Sequence, residues 1–392
     1  MHKTNHTHSL FFFLKNKEMS ELYLTLAFRN FTLGLLSLFI PVFLYKLGYS
    51  FIAIIMYFIW FYLFAFVGIA KGTYLCSKIG VKHTIFLSLP LTLTYFILLY
   101  GLEQYKIPLI LIGLVNGIGA GFFWSAFHVY FSHNGKDGHR GKEVSTMNTV
   151  LAIASAFAPV IGGAIAGGVS FKALFIFASV CLMCCAIPLF LTKEKKMTIP
   201  FKTKQLFSKK HFLEDVPYIG EGMRFTTLGI FWPFYIYLSG LGVLVMGLSL
   251  TLANFFYIIF TIIMGMITDT EKKMSLIKMG AVLHSASIFL RGFVTDVYSI
   301  MFLYAYGGIT GPMLEVPFLS LFYENTSKTH GILVVVREFY LVIGRVFILL
   351  TGAILYYTTN SFFWTFVPIF ILGGLSCYLT AVAHKFKKPE KS

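Results

Sequence analysis

Apolar residues run through this chain in long, unbroken stretches separated by short polar interruptions. A helix rises about 1.5 Å per residue, so roughly 20 apolar residues cross a hydrocarbon core of about 30 Å. Twelve stretches meet that length: 22–46, 51–76, 84–101, 107–131, 144–167, 172–191, 217–241, 243–267, 275–295, 297–323, 332–357 and 362–383. In lipid only helices and closed barrels satisfy the backbone, and the apolar residues here are continuous rather than alternating. The pattern therefore predicts an all-α membrane protein of twelve transmembrane helices. An even number of crossings leaves both chain ends on one side.

Composition agrees: 57% of the 392 residues are hydrophobic and 12% charged, too few charges to cover a water-soluble fold. The net charge of +16 suggests nucleic acid until the positions are mapped. The amino terminus, the loops after spans 2, 4, 6, 8 and 10 with the span ends beside them, and the carboxyl tail hold 24 of the 32 Lys and Arg residues. The opposite loops hold Lys46, Lys106 and Lys172, and five arginines lie within spans. This bias puts both ends in the cytoplasm. It names anionic lipid headgroups, not nucleic acid, as the partner of the basic surplus. Five cysteines, all in or beside apolar stretches, make no disulfide framework, and the Cys181/Cys184/Cys185 cluster lacks the further ligands of a zinc site.

Residues 1–21 read as a cytoplasmic tail without a signal peptide, with Met19 an alternative start just ahead of span 1. Residues 192–216 form a basic linker with seven lysines, interleaved with Phe201, Leu206, Phe207 and Phe212. That composition suits a helix in the headgroup layer or a plain linker. Asp215 and Pro217 mark the expected start of span 7. The chain thus divides into a bundle at 22–191, a second at 217–383, and a tail at 384–392.

The halves resemble each other. Arg29-Asn-Phe-Thr-Leu-Gly34 answers Arg224-Phe-Thr-Thr-Leu-Gly229, and Pro41-Val-Phe-Leu-Tyr45 answers Pro233-Phe-Tyr-Ile-Tyr237. Offsets near half the chain length point to two six-helix pseudo-repeats. After span 2 comes Thr73-Tyr-Leu-Cys-Ser77-Lys78-Ile-Gly80-Val-Lys82, and after span 8 Gly265-Met-Ile-Thr-Asp269-Thr-Glu-Lys272-Lys273. Here the chain resembles the major facilitator superfamily, whose loop signature is Gly-x-x-x-Asp-Arg-x-Gly-Arg-Arg/Lys. The second copy keeps Gly265 and Asp269. The first keeps Lys78, Gly80 and Lys82 but has Thr73 and Ser77 for the Gly and Asp. The resemblance implies that these loops latch the two halves on the cytoplasmic side, with Asp269 serving where Ser77 cannot. In span 5, Ala158, Pro159, Gly162 and Gly163 resemble the family's Gly-x-x-x-Gly-Pro-x-x-Gly-Gly, a stretch associated with exporters and antiporters. Its small residues let backbones approach, and its proline bends the span.

Charged side chains within spans are expensive and face the bundle interior. Arg29, Glu221, Arg224, Glu315, Arg337 and Glu338 all fall roughly 6–12 Å from the cytoplasmic ends of their spans. The resemblance implies that spans 1, 7 and 10 line a central cavity. Two readings stand for this layer: a gate in which Glu221 or Glu315 exchanges a proton as arginines re-pair, or a static cluster fixing helix register. Arg345 lies deeper, without an adjacent acid, and either holds an anionic substrate group or pairs with Glu315 or a backbone carbonyl. Arg291 is expected to snorkel to the opposite surface. Gly113, Gly117 and Gly121 form a packing stripe on span 4, whose Asn116 and Trp124 are cavity candidates and whose His128 is a structural residue or a proton relay. Gly311-Pro312 and Pro317 suggest a hinge in span 10.

No phosphate-binding loop, metalloprotease motif, nucleophile elbow or dinucleotide fingerprint occurs, and no cofactor or metal is expected. The expected protein is a monomeric, proton-coupled secondary transporter of the cell membrane, not an enzyme. It would move a small solute by alternating access, and its aromatic, charge-poor spans point to an amphipathic or hydrophobic one. A non-transporting receptor with the same fold, and a lipid-modifying enzyme using His133, Asp137 and His139, are the alternatives.

Overall fold

A computed structural model describes residues 17–134, 139–191, 212–269, 272–328 and 332–382. Linker residues 192–211, both tail ends and Asp137 lie outside these residues. All twelve spans are present, and every regular element among the described residues is helical. Spans 2, 3 and 4 are Phe51–Lys78, Val81–Gly101 and Leu109–Asn134. Spans 8 to 12 are Gly242–Thr268, Lys273–Leu290, Val297–Lys328, Ile332–Thr359 and Phe362–Ala381. The face carrying the chain ends is called here the terminal face and the other the far face. Serines cap three spans on the far face: Ser50, Ser170 and Ser361 accept from the backbone N–H of Ala53, Ala173 and Trp364.

The internal repeat appears as matched breaks in the helices. Span 1 is Lys17–Gly34, an interruption, then Ile40–Lys46; span 7 is Phe212–Thr226, a π-helical turn Thr227–Phe231, then Trp232–Leu238. Pro41 and Pro233 each stand in the first turn of a seven-residue outer segment, where a missing N–H is harmless. Each segment ends at a glycine in the left-handed region, Gly48 at φ 86° and Gly240 at φ 80°. Span 5 breaks before Pro159, into Arg140–Ser155 and Ala158–Gly168, as the motif predicts. Span 10 does not break: its helix continues through Pro312 and Pro317.

Close backbone approach holds each half together. A Cβ on Gly117 or Gly121 would lie 2.5 Å from a carbonyl oxygen of span 2, so the stripe on span 4 is a packing seam. A Cβ on Gly162 would lie 2.2 Å from the Leu35 oxygen of span 1. The C-terminal half repeats this between spans 7 and 11, where Cβ atoms on Gly222 and Gly344 would meet the Leu341 and Ile219 oxygens at 2.2 and 2.1 Å. Helices in lipid gain from packing and not from hydrophobic exclusion, so such seams are where helix association is won.

Two boundaries differ from the sequence reading. Span 1 is already helical at Lys17, so residues 17–21 belong to it, and Glu21 is buried against Lys82 of span 3 at 2.6 Å. Span 7 is already helical at Phe212, with Pro217 inside it. Polar residues near the ends hid both extensions. Spans 2, 3, 4, 5, 6, 8, 9 and 12 are apolar enough to cross a membrane on composition alone. Spans 1, 7, 10 and 11 carry Arg29, Glu221, Arg224, Glu315, Arg337, Glu338 and Arg345.

Candidate functional site

A cavity of about 320 Å³ lies between the halves, displaced from the middle toward the terminal face. Spans 2, 4 and 5 supply one wall and spans 7, 10 and 11 the other. Phe61, Tyr62, Trp124 and Phe225 give flat apolar surface, and His128, Asn148, Glu315, Arg337, Glu338 and Arg345 give polarity. Span 1 contributes no lining residue, contrary to what the resemblance implies. Arg29 is buried behind the wall, its guanidinium 3.9 Å from the Phe123 ring centroid and 5.7 Å from that of Trp124. Asn116 also stands back, donating to the Tyr57 hydroxyl at 3.4 Å.

The layer of charges resolves into separate units. Glu221 is fully buried and takes both Nε and Nη2 of Arg337, at 3.2 and 2.6 Å, tying span 7 to span 11. Such a pair offsets its own desolvation only when the geometry is as complete as this bidentate one. Arg345 does have an adjacent acid: its Nη1 donates to Glu338 at 2.5 Å, two turns back on span 11, and its guanidinium packs over Tyr62 of span 2. A seven-residue spacing brings the long side chains together despite the separation of their Cα atoms. Glu315 has no ion pair among the described residues and faces the Tyr257 hydroxyl and the charge of Arg224. Arg224 is buried with Nε and Nη2 unpartnered. Arg291 does not snorkel. It is 4% exposed and turned inward over Trp232 and Tyr304, because those rings of spans 7 and 10 offer a cation–π surface that lipid does not.

Contacts bridge the halves above and below the cavity. On the far face Phe51 of span 2 packs against Phe234, Tyr356, Phe362 and Phe366 of spans 7, 11 and 12, with centroids 4.8–6.0 Å apart. Gly163 and Gly247 bring spans 5 and 8 together at the same level. On the terminal side His128 Nδ1 and the Tyr323 hydroxyl share a hydrogen bond of 2.7 Å between spans 4 and 10. Asp269 bridges the halves at the place where the resemblance implies a latch: its carboxylate accepts from the N–H groups of Gly141 and Lys142, at 2.8 and 3.2 Å, capping span 5 in the other half. Gly265 lets Ser145 approach, and the Ser145 hydroxyl donates to the Thr261 oxygen at 2.8 Å. Among the described residues the first loop copy makes no equivalent cap. Ser77 donates to the carbonyl of Tyr74, Lys78 extends over the Tyr74 ring, Gly80 starts span 3 at φ 98°, and Lys82 pairs with Glu21 in its own half.

Burial holds the Asp269 carboxyl above the usual carboxylate range, against the two backbone hydrogen bonds that favour its ionised form. A carboxyl raised in the closed form binds its proton better there. Closure therefore gains as pH falls through the raised value and loses as pH rises through it. Removing the cap altogether should matter more. Asp269→Ala is expected to shift the equilibrium toward the terminal-open form by about 1 kcal/mol, roughly fivefold. Faster alkylation of a cysteine placed at Met147 on the cavity wall, with the five native cysteines replaced, would report it. An unchanged rate would show that the cap does not hold the gate.

Sequence reasoning missed several residues. Asn148, Tyr62 and Tyr257 are neutral and carry no signal in a hydropathy profile. His284 hydrogen-bonds Thr310 at 2.9 Å inside the C-terminal half. Arg140 is 1% exposed and holds Glu143 and the last carbonyls of span 4, although a loop arginine reads as solvent-facing.

Twelve helices in two matched halves around a shared cavity are the architecture of a membrane transporter. The chain belongs to the Major Facilitator Superfamily, whose family model matches residues 22–217. No curated protein matches it. Among solved structures it is similar to the human organic anion transporter MFSD10 (TETRAN), at a TM-score of 0.69 and 12% identity, over 93% of this chain and 99% of that one. Such a likeness speaks for the fold alone.

Proposed function

We propose that this protein is a secondary active transporter that moves a small solute by rocking its two halves about the cavity, with protons as the driving ion. The observation that carries the reading is the cavity itself: both halves line it, and separable contacts close it on each face. The lysine bias supports a cytoplasmic terminal face, and the cell membrane is the proposed site of action. The long apolar side chains left exposed, such as Ile187, Val169 and Phe302, suit contact with lipid. Glu315 is the better proton carrier of the two carboxylates considered, because it lines the cavity free of an ion pair while Glu221 is sealed behind Arg337. No cofactor takes part, and the monomer is the working unit.

Cross-linking tests the rocking. In a chain freed of native cysteines, Phe51→Cys with Phe234→Cys joins two residues whose rings lie 5.6 Å apart across the far face. Bridging them with a reducible thiol cross-linker is expected to stop solute flux in proteoliposomes, and reduction to restore it. Undiminished flux in the bridged protein would rule out alternating access through this gate.

A further inference from the structure

The interior is rich in hydrogen-bond donors that lack acceptors. Arg29, Arg140, Arg224, Arg291 and Arg345 each have a buried guanidinium nitrogen without a partner, whereas no buried carboxylate oxygen is left unpaired among the described residues. Two orphaned donors belong to residues bordering the cavity: Nε of Arg345 on span 11 and Nδ2 of Asn148, a residue 3% exposed on span 5. They come from opposite halves. Glu338 takes only Nη1 of Arg345, so this pairing leaves Nε unused.

Charge points the same way. Arg29 and Arg224, on spans 1 and 7, make no ion pair among the described residues, whereas Arg337 and Arg345 of span 11 are held by Glu221 and Glu338. Glu315 faces Arg224, and Arg29, behind the cavity wall over the Phe123 ring, is the buried cation left over. A buried donor left unpaired costs about 1–3 kcal/mol, and a ligand bringing acceptors and negative charge relieves both deficits at once. The rest of the wall is flat and apolar, and the cavity volume is at the small end of the roughly 300–1,000 Å³ typical of ligand pockets.

We infer that the cavity takes a small organic anion, its carboxylate, sulfonate or phosphate group held between Arg345 and Asn148 and its flat apolar body between the aromatic walls. A ligand gripped from both halves is also one whose departure frees them to part. The inference rests on the transport reading for the cavity being the solute's path.

The test is equilibrium binding of three isosteric probes to the purified full-length protein in detergent, with no gradient present. The probes are 1-naphthoate, neutral 1-naphthamide and cationic 1-naphthylmethylammonium. Naphthoate is expected to bind at least about tenfold more tightly than the amide, with the ammonium weakest, as a charge-assisted hydrogen bond requires. Arg345→Gln and Asn148→Ala should each erase that advantage while leaving amide binding unchanged. Glu338→Gln, which releases Arg345, should strengthen naphthoate binding. If Arg345→Gln is not monodisperse, Asn148→Ala and Glu338→Gln decide the matter. Absent naphthoate binding, equal binding of amide or ammonium, or an advantage that survives the variants would overturn the inference. The two readings fail separately: anion-selective binding without any flux in proteoliposomes strikes the transport reading, and gradient-driven flux of a solute without anion preference strikes this one.

Discussion

Glu315→Gln is expected to abolish uphill solute accumulation driven by an imposed pH gradient while leaving solute exchange across proteoliposomes intact. The carboxylate borders the cavity on span 10, between the Tyr257 hydroxyl and the Arg224 guanidinium, and no ion pair fixes it in one protonation state. An intramembrane acid in such a place is the standard element of a proton relay. Glutamine keeps its shape and its hydrogen bonds but cannot release a proton, so the halves still rock with solute bound while the gradient loses its hold. Accumulation should fall to the equilibrium ratio. Accumulation at the level of the unaltered protein would remove Glu315 from the coupling step and leave it a packing residue.

Glu221→Gln should instead damage the fold. Its partner Arg337 would keep a full charge in a site that is 7% exposed, with Phe322 over its guanidinium and only an amide to meet it. Breaking a buried pair on one side costs about 3–5 kcal/mol, a large part of a typical total stability. A marked fall in the thermal transition of the detergent-purified protein is the expected result. Replacing both partners, Glu221→Met with Arg337→Met, should recover most of it, because the desolvation penalty of two charges disappears along with their attraction. If the single variant melts like the parent, Glu221 is less committed to Arg337 than the 2.6 Å contact indicates.

These two glutamates look alike in the sequence. Each is a single acid inside a span at about the same depth, and hydropathy treats them equally. Their difference arises from what the other spans bring to them. The twelve crossings, the duplication, the break before Pro159 and the seam at Gly113, Gly117 and Gly121 were all legible, because each is a local or periodic property of the chain. The seam at Gly222 and Gly344 was equally local but was not read, since the two glycines sit on different spans without a repeat of their own. The Asp269 latch was legible by resemblance. Its acceptor role toward Gly141 and Lys142 was not, because backbone N–H groups have no signature in a sequence.

Hydrophobic patterning by itself settled the class of protein, the number and order of the spans, and the doubling of the fold, because lipid imposes length and apolarity on every segment independently of its neighbours. Only the tertiary structure decided which charges pair, which stand alone, and which of them reach the cavity. Arginine and glutamate side chains span several ångströms, and in a medium without water their partners are chosen by whichever helix face lies opposite, a fact written in no single stretch of the chain.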